Sequence, residues 1–184
     1  MAGQPHSKLL KPNPPARFMI ERTLVLVKPD GVARGLIGEI ISRFEQRGLK
    51  IVGLKIVRTS DELVGKHYDY DDIVKRKGEF VWKKLMKGLT GQVVVAMVVE
   101  GIEAISFVRK ICGETEPRAA LPGTIRGDFA HHGYKYADAK NIPVYNLVHA
   151  SSDVKDAERE IKIWFKKDEL IGYKRADELF HYGE

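Results

Sequence analysis

The chain of 184 residues lacks the features that mark secreted and membrane proteins. Its one cysteine, Cys112, cannot form a disulfide within the chain, and no Asn-x-Ser/Thr glycosylation site occurs. Before Phe18 the only apolar pair is Leu9-Leu10, which is too short for the core of a signal peptide. No apolar run has the length of a membrane-spanning helix. These absences predict a cytoplasmic protein that does not contact a membrane.

The sequence also lacks the common glycine-rich loops that bind phosphate. It contains no GxxxxGK[ST] and no GxGxxG with the partner motifs of a protein kinase. Any phosphate site must therefore be built from side chains. The chain has 31 Lys plus Arg against 25 Asp plus Glu, a net charge of +6. This balance suits polyanionic partners such as nucleotides or nucleic acid, although most of the charge is expected to lie on solvated surface.

The length and composition predict one compact domain preceded by an extension. Residues 1–20 contain four of the eight prolines and little hydrophobic pattern, so we predict an N-terminal extension there. The domain is expected to span residues 21–184.

Apolar patterns predict four strands and several helices. The predicted strands are residues 23–27, 50–57, 93–99 and 144–148, of which 93–99 is the most hydrophobic and is expected to be central. The predicted helices are residues 37–44, 61–68, 79–87, 105–112 and 154–165, and the segment between residues 127 and 144 shows little pattern. Their order resembles a split βαβ arrangement, which predicts an α/β (α+β) fold of the ferredoxin-like class, a four-stranded antiparallel sheet covered by helices.

Three cations stand where predicted strands or helices meet loops, namely Lys28, Arg109 and Arg126. Arg109 lies at the edge of the buried stripe of its helix, where arginines with an extended stem or a salt bridge are common. Its position alone therefore does not identify a ligand.

His149 follows the apolar run 144–148, and a lone histidine at a strand end is more often structural than catalytic. Glu160 changes this interpretation, because its spacing from Ala157 and Trp164 places a carboxylate on the inner face of the last helix. A histidine is a suitable partner for this carboxylate. The hydrogen bond to one ring nitrogen fixes the tautomer and leaves the other nitrogen as a nucleophile.

Several blocks in order resemble the nucleoside diphosphate kinase family over about residues 20–170. The matching blocks are residues 23–32 (TLVLVKPDGV), 91–97, 113–115, 122–129 (PGTIRGDF) and 146–152. The resemblance implies a phosphotransferase that moves the γ-phosphate of a nucleoside triphosphate, mainly ATP, to a nucleoside diphosphate. It also implies a ping-pong mechanism through phosphohistidine.

The resemblance implies that His149 is phosphorylated and that Glu160 hydrogen-bonds its ring. The other matching positions surround the phosphates, the ribose hydroxyls and the catalytic ring: Lys28, Tyr68, Arg109, Thr115, Arg126 and Asn146. Among them, Lys28 and Tyr68 correspond to residues beside the transferred phosphate, and Asn146 shares a sugar contact with Lys28. The remaining three correspond to phosphate contacts. Mg²⁺ would be held by the nucleotide's own phosphates, so no protein metal site is expected.

The chain also departs from the family pattern. The family usually has glycine after the catalytic histidine and Ser-Asp directly afterwards, whereas this chain has Ala150 and then Ser151-Ser152-Asp153. Phe80 and Trp82 are alternative candidates for an aromatic shelf under the base, because the segment after Tyr68 is longer than usual.

Residues 130–145, here called the insert, are more residues than the family normally places between Phe129 and Asn146. Because it lies between two active-site blocks, it must begin and end near the nucleotide. We expect it to pack over a subunit boundary rather than to shield the pocket.

Two other functions remain open at this point. A nucleic-acid-binding protein could use Lys162, Lys166 and Lys167 for phosphate contacts, but no interleaved aromatic residues accompany them, so nucleic acid is an unlikely partner. A histidine phosphocarrier would use the same His149 and differ in its acceptor. The family is commonly a homohexamer, and the stretch 117–122 resembles the loop through which its subunits meet, so we expect a homohexamer rather than a tetramer.

Overall fold

A computed structural model describes residues 20–183 as a four-stranded antiparallel sheet with helices on both faces. The strands are β1 (Ile20–Val27), β2 (Lys50–Arg58), β3 (Val93–Ile102) and β4 (Val148–Ala150), in the order β2-β3-β1-β4. All three pairings are antiparallel. The predicted fold class and the central position of β3 are confirmed. Apart from Ile20, the predicted extension 1–20 lies outside the described residues.

Ten α-helices connect and cover these strands in residues 20–183. They are α1 (Pro29–Ala33), α2 (Ile37–Glu45), α3 (Asp61–His67), α4 (Tyr70–Lys77), α5 (Glu79–Leu89), α6 (Ala104–Cys112), α7 (Ile125–Phe129), α8 (Tyr134–Ala139), α9 (Val154–Trp164) and α10 (Glu178–Tyr182). Short 3-10 helices occur at Pro117–Ala119 and Lys167–Glu169. No helix in the described part of the chain is both long and apolar enough to cross a membrane.

Helices cover both faces of the sheet at the central strands β1 and β3, whose successive residues point to opposite faces. On one face, Val25 and Met97 pack with Phe44 of α2 and Val108 of α6. On the other face, buried strand residues pack with side chains from α3, α5 and α9: Leu24, Leu26, Val98, Val64, Leu89 and Trp164. The continuous apolar runs of β1 and β3 follow from this double burial.

The strand predicted at residues 144–148 begins later, at Val148, so this prediction was wrong in its bounds. The reason is a turn at Leu147, which has a left-handed φ of 67° that interrupts an extended strand. The backbone N–H of Leu147 donates to Asp30 Oδ2 at 2.9 Å, and its carbonyl accepts from the Lys28 N–H at 2.8 Å. The segment before the strand is thereby attached to the β1–α1 junction.

Helix α8 forms within the insert, where the sequence showed little pattern, and α10 follows the helix expected to be last. The turn expected at residues 28–31 begins helix α1, with Pro29 in its first turn. Proline is favoured at this position because its fixed φ suits a helix start and its missing N–H is not needed there.

Candidate active site

An open cavity of about 950 Å³ lies where β1 ends and β4 begins. Eight of the side chains singled out from the sequence line it: Lys28, Tyr68, Arg109, Thr115, Arg126, Asn146, His149 and Glu160. They come from strand β4 and from the loops and helices around these strands, although positions such as Lys28 and Asn146 are 118 residues apart. The fold thus gathers these residues around one volume.

His149 lies on β4 opposite Leu26 of β1, and its ring is held by a buried carboxylate. His149 Nε2 is 2.9 Å from Glu160 Oε2, on the inner face of α9. Because a carboxylate only accepts hydrogen bonds, Nε2 is the nitrogen that carries the proton. Nδ1 then keeps its lone pair, and no side chain or backbone group in residues 20–183 hydrogen-bonds it.

Ser151 is a further part of this arrangement that the sequence reasoning did not identify. Its hydroxyl donates to Glu160 Oε2 at 2.7 Å and accepts from the Leu24 N–H at 3.3 Å. Burial raises the pKa of Glu160, but the charge and hydrogen bond of His149, with help from His67 and Ser151, outweigh this and leave the pKa lowered. Glu160 therefore stays ionised beside the ring.

Lys28 begins a chain of hydrogen bonds across the cavity wall. Its ammonium donates to Asn146 Oδ1 at 2.7 Å and to the Val144 carbonyl at 3.4 Å, and Asn146 Nδ2 donates to the Thr115 carbonyl at 2.8 Å. Burial lowers the pKa of Lys28 to about 8, against the opposing effect of Asp30. Lys28 is thus a half-buried cation whose charge is sensitive to mildly alkaline pH.

Arg126 is buried and binds the backbone on three sides. Its Nε, Nη1 and Nη2 donate to the carbonyls of Asn146, Gly113 and Val148 at 3.1, 2.6 and 2.7 Å. Since a guanidinium has five N–H groups, two remain for a ligand. Arg109, in the last turn of α6, is exposed, and its side chain has no hydrogen-bond or ion-pair partner among the described residues. Arg126 therefore holds the surrounding loops together, whereas Arg109 is available to a ligand.

The end of α3 brings two rings against His149. The His67 ring lies edge-on at 4.5 Å from the His149 ring, and its Nδ1 accepts from Trp164 Nε1 at 3.2 Å. Burial lowers the pKa of His67 to about 3, so it is neutral near pH 7. Tyr68 lies 6.1 Å from the His149 ring, and burial and Glu160 raise its pKa, so it remains a phenol. His67 was missed by the sequence reasoning, and its only signal was its place next to Tyr68.

The comparisons with known proteins agree with this geometry. The family described as "Nucleoside diphosphate kinase" matches residues 21–170. This chain belongs to that family. It is an enzyme, a nucleoside diphosphate kinase, because relatives that are about 50% identical to it carry that name.

Two curated relatives illustrate the similarity. The nucleoside diphosphate kinase of Borreliella burgdorferi is 53% identical over 165 residues, which are 90% of this chain and 99% of the relative. That of Pyrococcus abyssi is 52% identical over 161 residues, covering 88% of this chain and 94% of the relative.

Solved structures show the same fold. A transition state mimic of the Borrelia burgdorferi kinase, with bound vanadate and ADP, superposes with a TM-score of 0.88 at 53% identity, over 89% of this chain and 97% of that one. An NDP kinase from Pyrobaculum aerophilum superposes with a TM-score of 0.77 at 37% identity, over 84% of this chain and 100% of that one.

The structure of this kinase places neither Phe80 nor Trp82 among the residues that line the cavity. Phe80 is exposed and lies under the Lys84 ammonium. Trp82 packs edge-on against Tyr70 and donates its indole N–H to the Tyr68 carbonyl at 3.0 Å. This geometry gives no support to a shelf formed by either ring. Trp82 instead binds the backbone of Tyr68 through this hydrogen bond.

One group of side chains in residues 20–183 of the kinase has metal-binding spacing. His67, His149 and Glu160 each place a possible ligand atom within 4.8 Å of the others. Two imidazoles and one carboxylate do not suit Mg²⁺, which prefers six oxygen ligands. Their polar atoms are also partly engaged already: His149 is hydrogen-bonded to Glu160, Glu160 also accepts from Ser151, and His67 accepts from Trp164. In this arrangement they orient the His149 ring.

Proposed function

We propose that this enzyme transfers the γ-phosphate of a nucleoside triphosphate, mainly ATP, to a nucleoside diphosphate by a ping-pong mechanism in which His149 carries the phosphate. The observation that carries this proposal is the 2.9 Å hydrogen bond between His149 Nε2 and Glu160. It leaves Nδ1 with a lone pair at the cavity surface, as a nucleophile requires.

In the first half-reaction, the Nδ1 lone pair of His149 forms a bond to the γ-phosphorus. The bond from that phosphorus to the bridging oxygen breaks, and its electron pair leaves with the nucleoside diphosphate. Positive charge develops on the imidazole, and the ionised Glu160 beside Nε2 offsets it. In the second half-reaction, a terminal oxygen of another diphosphate attacks the phosphohistidine, and the electron pair of the P–N bond returns to Nδ1.

Phosphoryl transfer depends on positioning and charge compensation more than on covalent machinery. We assign Lys28, Arg109 and Arg126 to compensating charge on the phosphates, and Tyr68 to donating its phenol hydrogen beside the transferred group. Thr115 is assigned a phosphate contact. Asn146, bonded to Lys28 at 2.7 Å, is assigned a contact to the ribose. The Borrelia burgdorferi kinase, 53% identical to this chain, binds vanadate and ADP, which supports a nucleotide site in this chain.

Mg²⁺ is proposed to enter on the nucleotide rather than on protein ligands. Five carboxylates line the cavity, and four of them are already engaged: Asp69 with the Asp72 N–H, Asp72 with Arg76, Asp156 with Ser152 and Arg159, and Glu160 with His149. The fifth is Glu114, a single carboxylate. This donor set fits an ion held by phosphate oxygens and water, as Mg²⁺ commonly is. Bound there, the ion would neutralise part of the phosphate charge.

We also propose a homohexamer in the cytoplasm, without membrane or nucleic-acid partners. The segment 117–122, expected to meet a neighbouring subunit, carries Leu121 with 74% of its surface exposed. An exposed apolar side chain of this size suits a subunit contact. A sedimentation measurement of particle mass tests the assembly, and a monomeric mass would contradict it.

Labelling with γ-labelled ATP tests the mechanism. The wild-type protein should acquire a label that is stable in alkali and lost in acid, and His149→Gln should acquire none. Adding an unlabelled diphosphate should move the label onto that nucleotide, which separates a kinase from a phosphocarrier. Normal labelling of His149→Gln, or a label that no diphosphate removes, would contradict the proposal.

A further inference from the structure

The insert, residues 130–145, is attached to the kinase domain at both of its sides. Asp138 of α8 accepts a hydrogen bond from Lys84 of α5 at 2.9 Å. The Tyr134 N–H donates to Glu116 Oε1 at 2.8 Å, and the His132 carbonyl accepts from the Arg118 N–H at 3.2 Å. The insert therefore packs on its own chain, between α5 and the segment that begins at Glu116.

Within the insert, His132 contacts the residue at which the insert returns to the site. His132 Nδ1 accepts from the backbone N–H of Tyr145 at 3.1 Å. The ring of His132 also lies 5.3 Å from that of Tyr145, at a tilt of 34°, and 5.5 Å from that of Tyr136. One polar contact and one ring contact thus fix the peptide between Val144 and Tyr145.

The residues on both sides of Tyr145 hold the Lys28 ammonium. The Val144 carbonyl belongs to the same peptide group as the Tyr145 N–H, and it accepts from Lys28 Nζ at 3.4 Å. Asn146 follows Tyr145 and accepts from Lys28 Nζ at 2.7 Å. A rotation of this peptide would therefore displace one oxygen ligand of Lys28 directly and the other through the adjoining backbone.

We propose that His132 is a positioning residue for phosphotransfer, which holds the Val144–Tyr145 peptide so that Val144 and Asn146 keep the Lys28 ammonium aimed into the cavity. This inference rests on the proposed function of Lys28 and Asn146. It assigns the insert a part in the reaction, exerted through a single accepted hydrogen bond.

Two substitutions separate the hydrogen bond from the ring contact. His132→Phe keeps a ring against Tyr145 but has no acceptor, whereas His132→Asn places an oxygen near the position of Nδ1 but has no ring. We expect His132→Phe to lower kcat/KM roughly tenfold, about the effect of one hydrogen bond. His132→Asn should stay within about threefold of wild type. The exposed neighbour His131 provides the control, and His131→Phe should match wild type.

A double-mutant cycle with Lys28→Ala identifies the route of the effect, because the Val144 and Asn146 oxygens both act on the Lys28 ammonium. If His132 acts through Lys28, His132→Phe should cost less than about twofold when Lys28 is already alanine. A full tenfold cost in both backgrounds would overturn the proposal, as would wild-type activity of His132→Phe. Should His132→Phe not fold, His132→Gln replaces it, because its oxygen lies nearer the position of Nε2.

Wild-type labelling by ATP is measured first, so that a failure of the proposed function is recognised separately. Calorimetric titration with ADP provides a reading that does not depend on turnover. We expect His132→Phe to weaken ADP binding and His132→Asn to preserve it. Equal ADP affinity in wild type and His132→Phe would contradict the positioning role even if the wild-type enzyme transfers phosphate normally.

Discussion

Oε2 of Glu160 lies 2.9 Å from Nε2 of His149 and 2.7 Å from the hydroxyl of Ser151. The Ser151 hydroxyl and the His149 ring both donate to this one oxygen of Glu160. The carboxylate therefore fixes the orientation of the imidazole and keeps its proton on Nε2. The ring nitrogen that faces the cavity is therefore Nδ1, and the buried carboxylate lies where it can offset charge that develops on the ring.

Glu160→Gln should lower kcat/KM by about ten- to a hundredfold, the loss expected for one charge-assisted hydrogen bond. An amide oxygen can still accept from Nε2, but it cannot offset positive charge on the ring. The loss should be much smaller than that of His149→Ala. The exposed Glu158 on the same helix provides the control, and Glu158→Gln should match wild type. An unchanged rate for Glu160→Gln across the pH range would show that Glu160 serves another partner.

The lowered pKa of Lys28 predicts a loss of activity at alkaline pH. Its pKa is lowered to about 8, so the free enzyme loses this positive charge as the pH rises through 8. Because kcat/KM reports the ionisation of the free enzyme, it should fall with an apparent pKa near 8. Adenine nucleotides are suitable substrates, since adenine does not titrate in this range. Lys28→Arg, whatever its absolute rate, should lack this decline, and exposed Lys87→Arg should retain it. The same alkaline profile in wild type and Lys28→Arg would refute the assignment.

The two arginines should differ in their effect on stability. Arg126→Ala leaves the buried carbonyls of Asn146 and Val148 and the half-buried carbonyl of Gly113 without their donor, so it should lower the free energy of unfolding by about 3 kcal/mol as well as the rate. Arg109→Ala should lower kcat/KM but leave the free energy of unfolding within about 0.5 kcal/mol of wild type, because its side chain is exposed. Urea unfolding and turnover measure both quantities. Equal destabilisation by the two substitutions would contradict this distinction.

His67 should make the fold sensitive to acid. Its pKa is about 3 in the folded state and 6.5 ordinarily, so the unfolded chain binds more protons between these values. The free energy of unfolding should therefore decrease as the pH falls from 6.5 towards 3. In His67→Asn, whose oxygen can still accept from Trp164, this decrease should be smaller by a few kcal/mol at most. Urea unfolding at several pH values tests this, and parallel profiles for the two proteins would contradict it.

Local patterns in the sequence were sufficient to predict the sheet and the principal helices. The apolar runs of β1 and β3 are continuous because both faces are buried, and the spacings in α2, α6 and α9 mark one buried side. The late start of β4 was not predictable in this way. It depends on the left-handed Leu147 and its bonds to Lys28 and Asp30, which are distant in sequence.

The candidate active site was likewise only partly predictable from local patterns in the sequence. His149 and Glu160 could be paired because strand end and helix face each have a recognisable pattern, and eight predicted residues line the cavity. Ser151 and His67 were missed because their roles arise from contacts that no spacing encodes. Phe80 and Trp82 could not be placed because the direction of each ring depends on α4 and α5, which pack together only in the folded chain.

The position of the phosphate on the imidazole tests the central claim most directly. The enzyme, labelled with ¹⁵N in histidine, is phosphorylated by ATP and kept in alkali, and the phosphorus–nitrogen coupling is measured by NMR. The account predicts one phosphohistidine, at His149, with phosphorus bonded to Nδ1 because Glu160 holds Nε2. Phosphate on Nε2 of His149, or on any other residue, would contradict it.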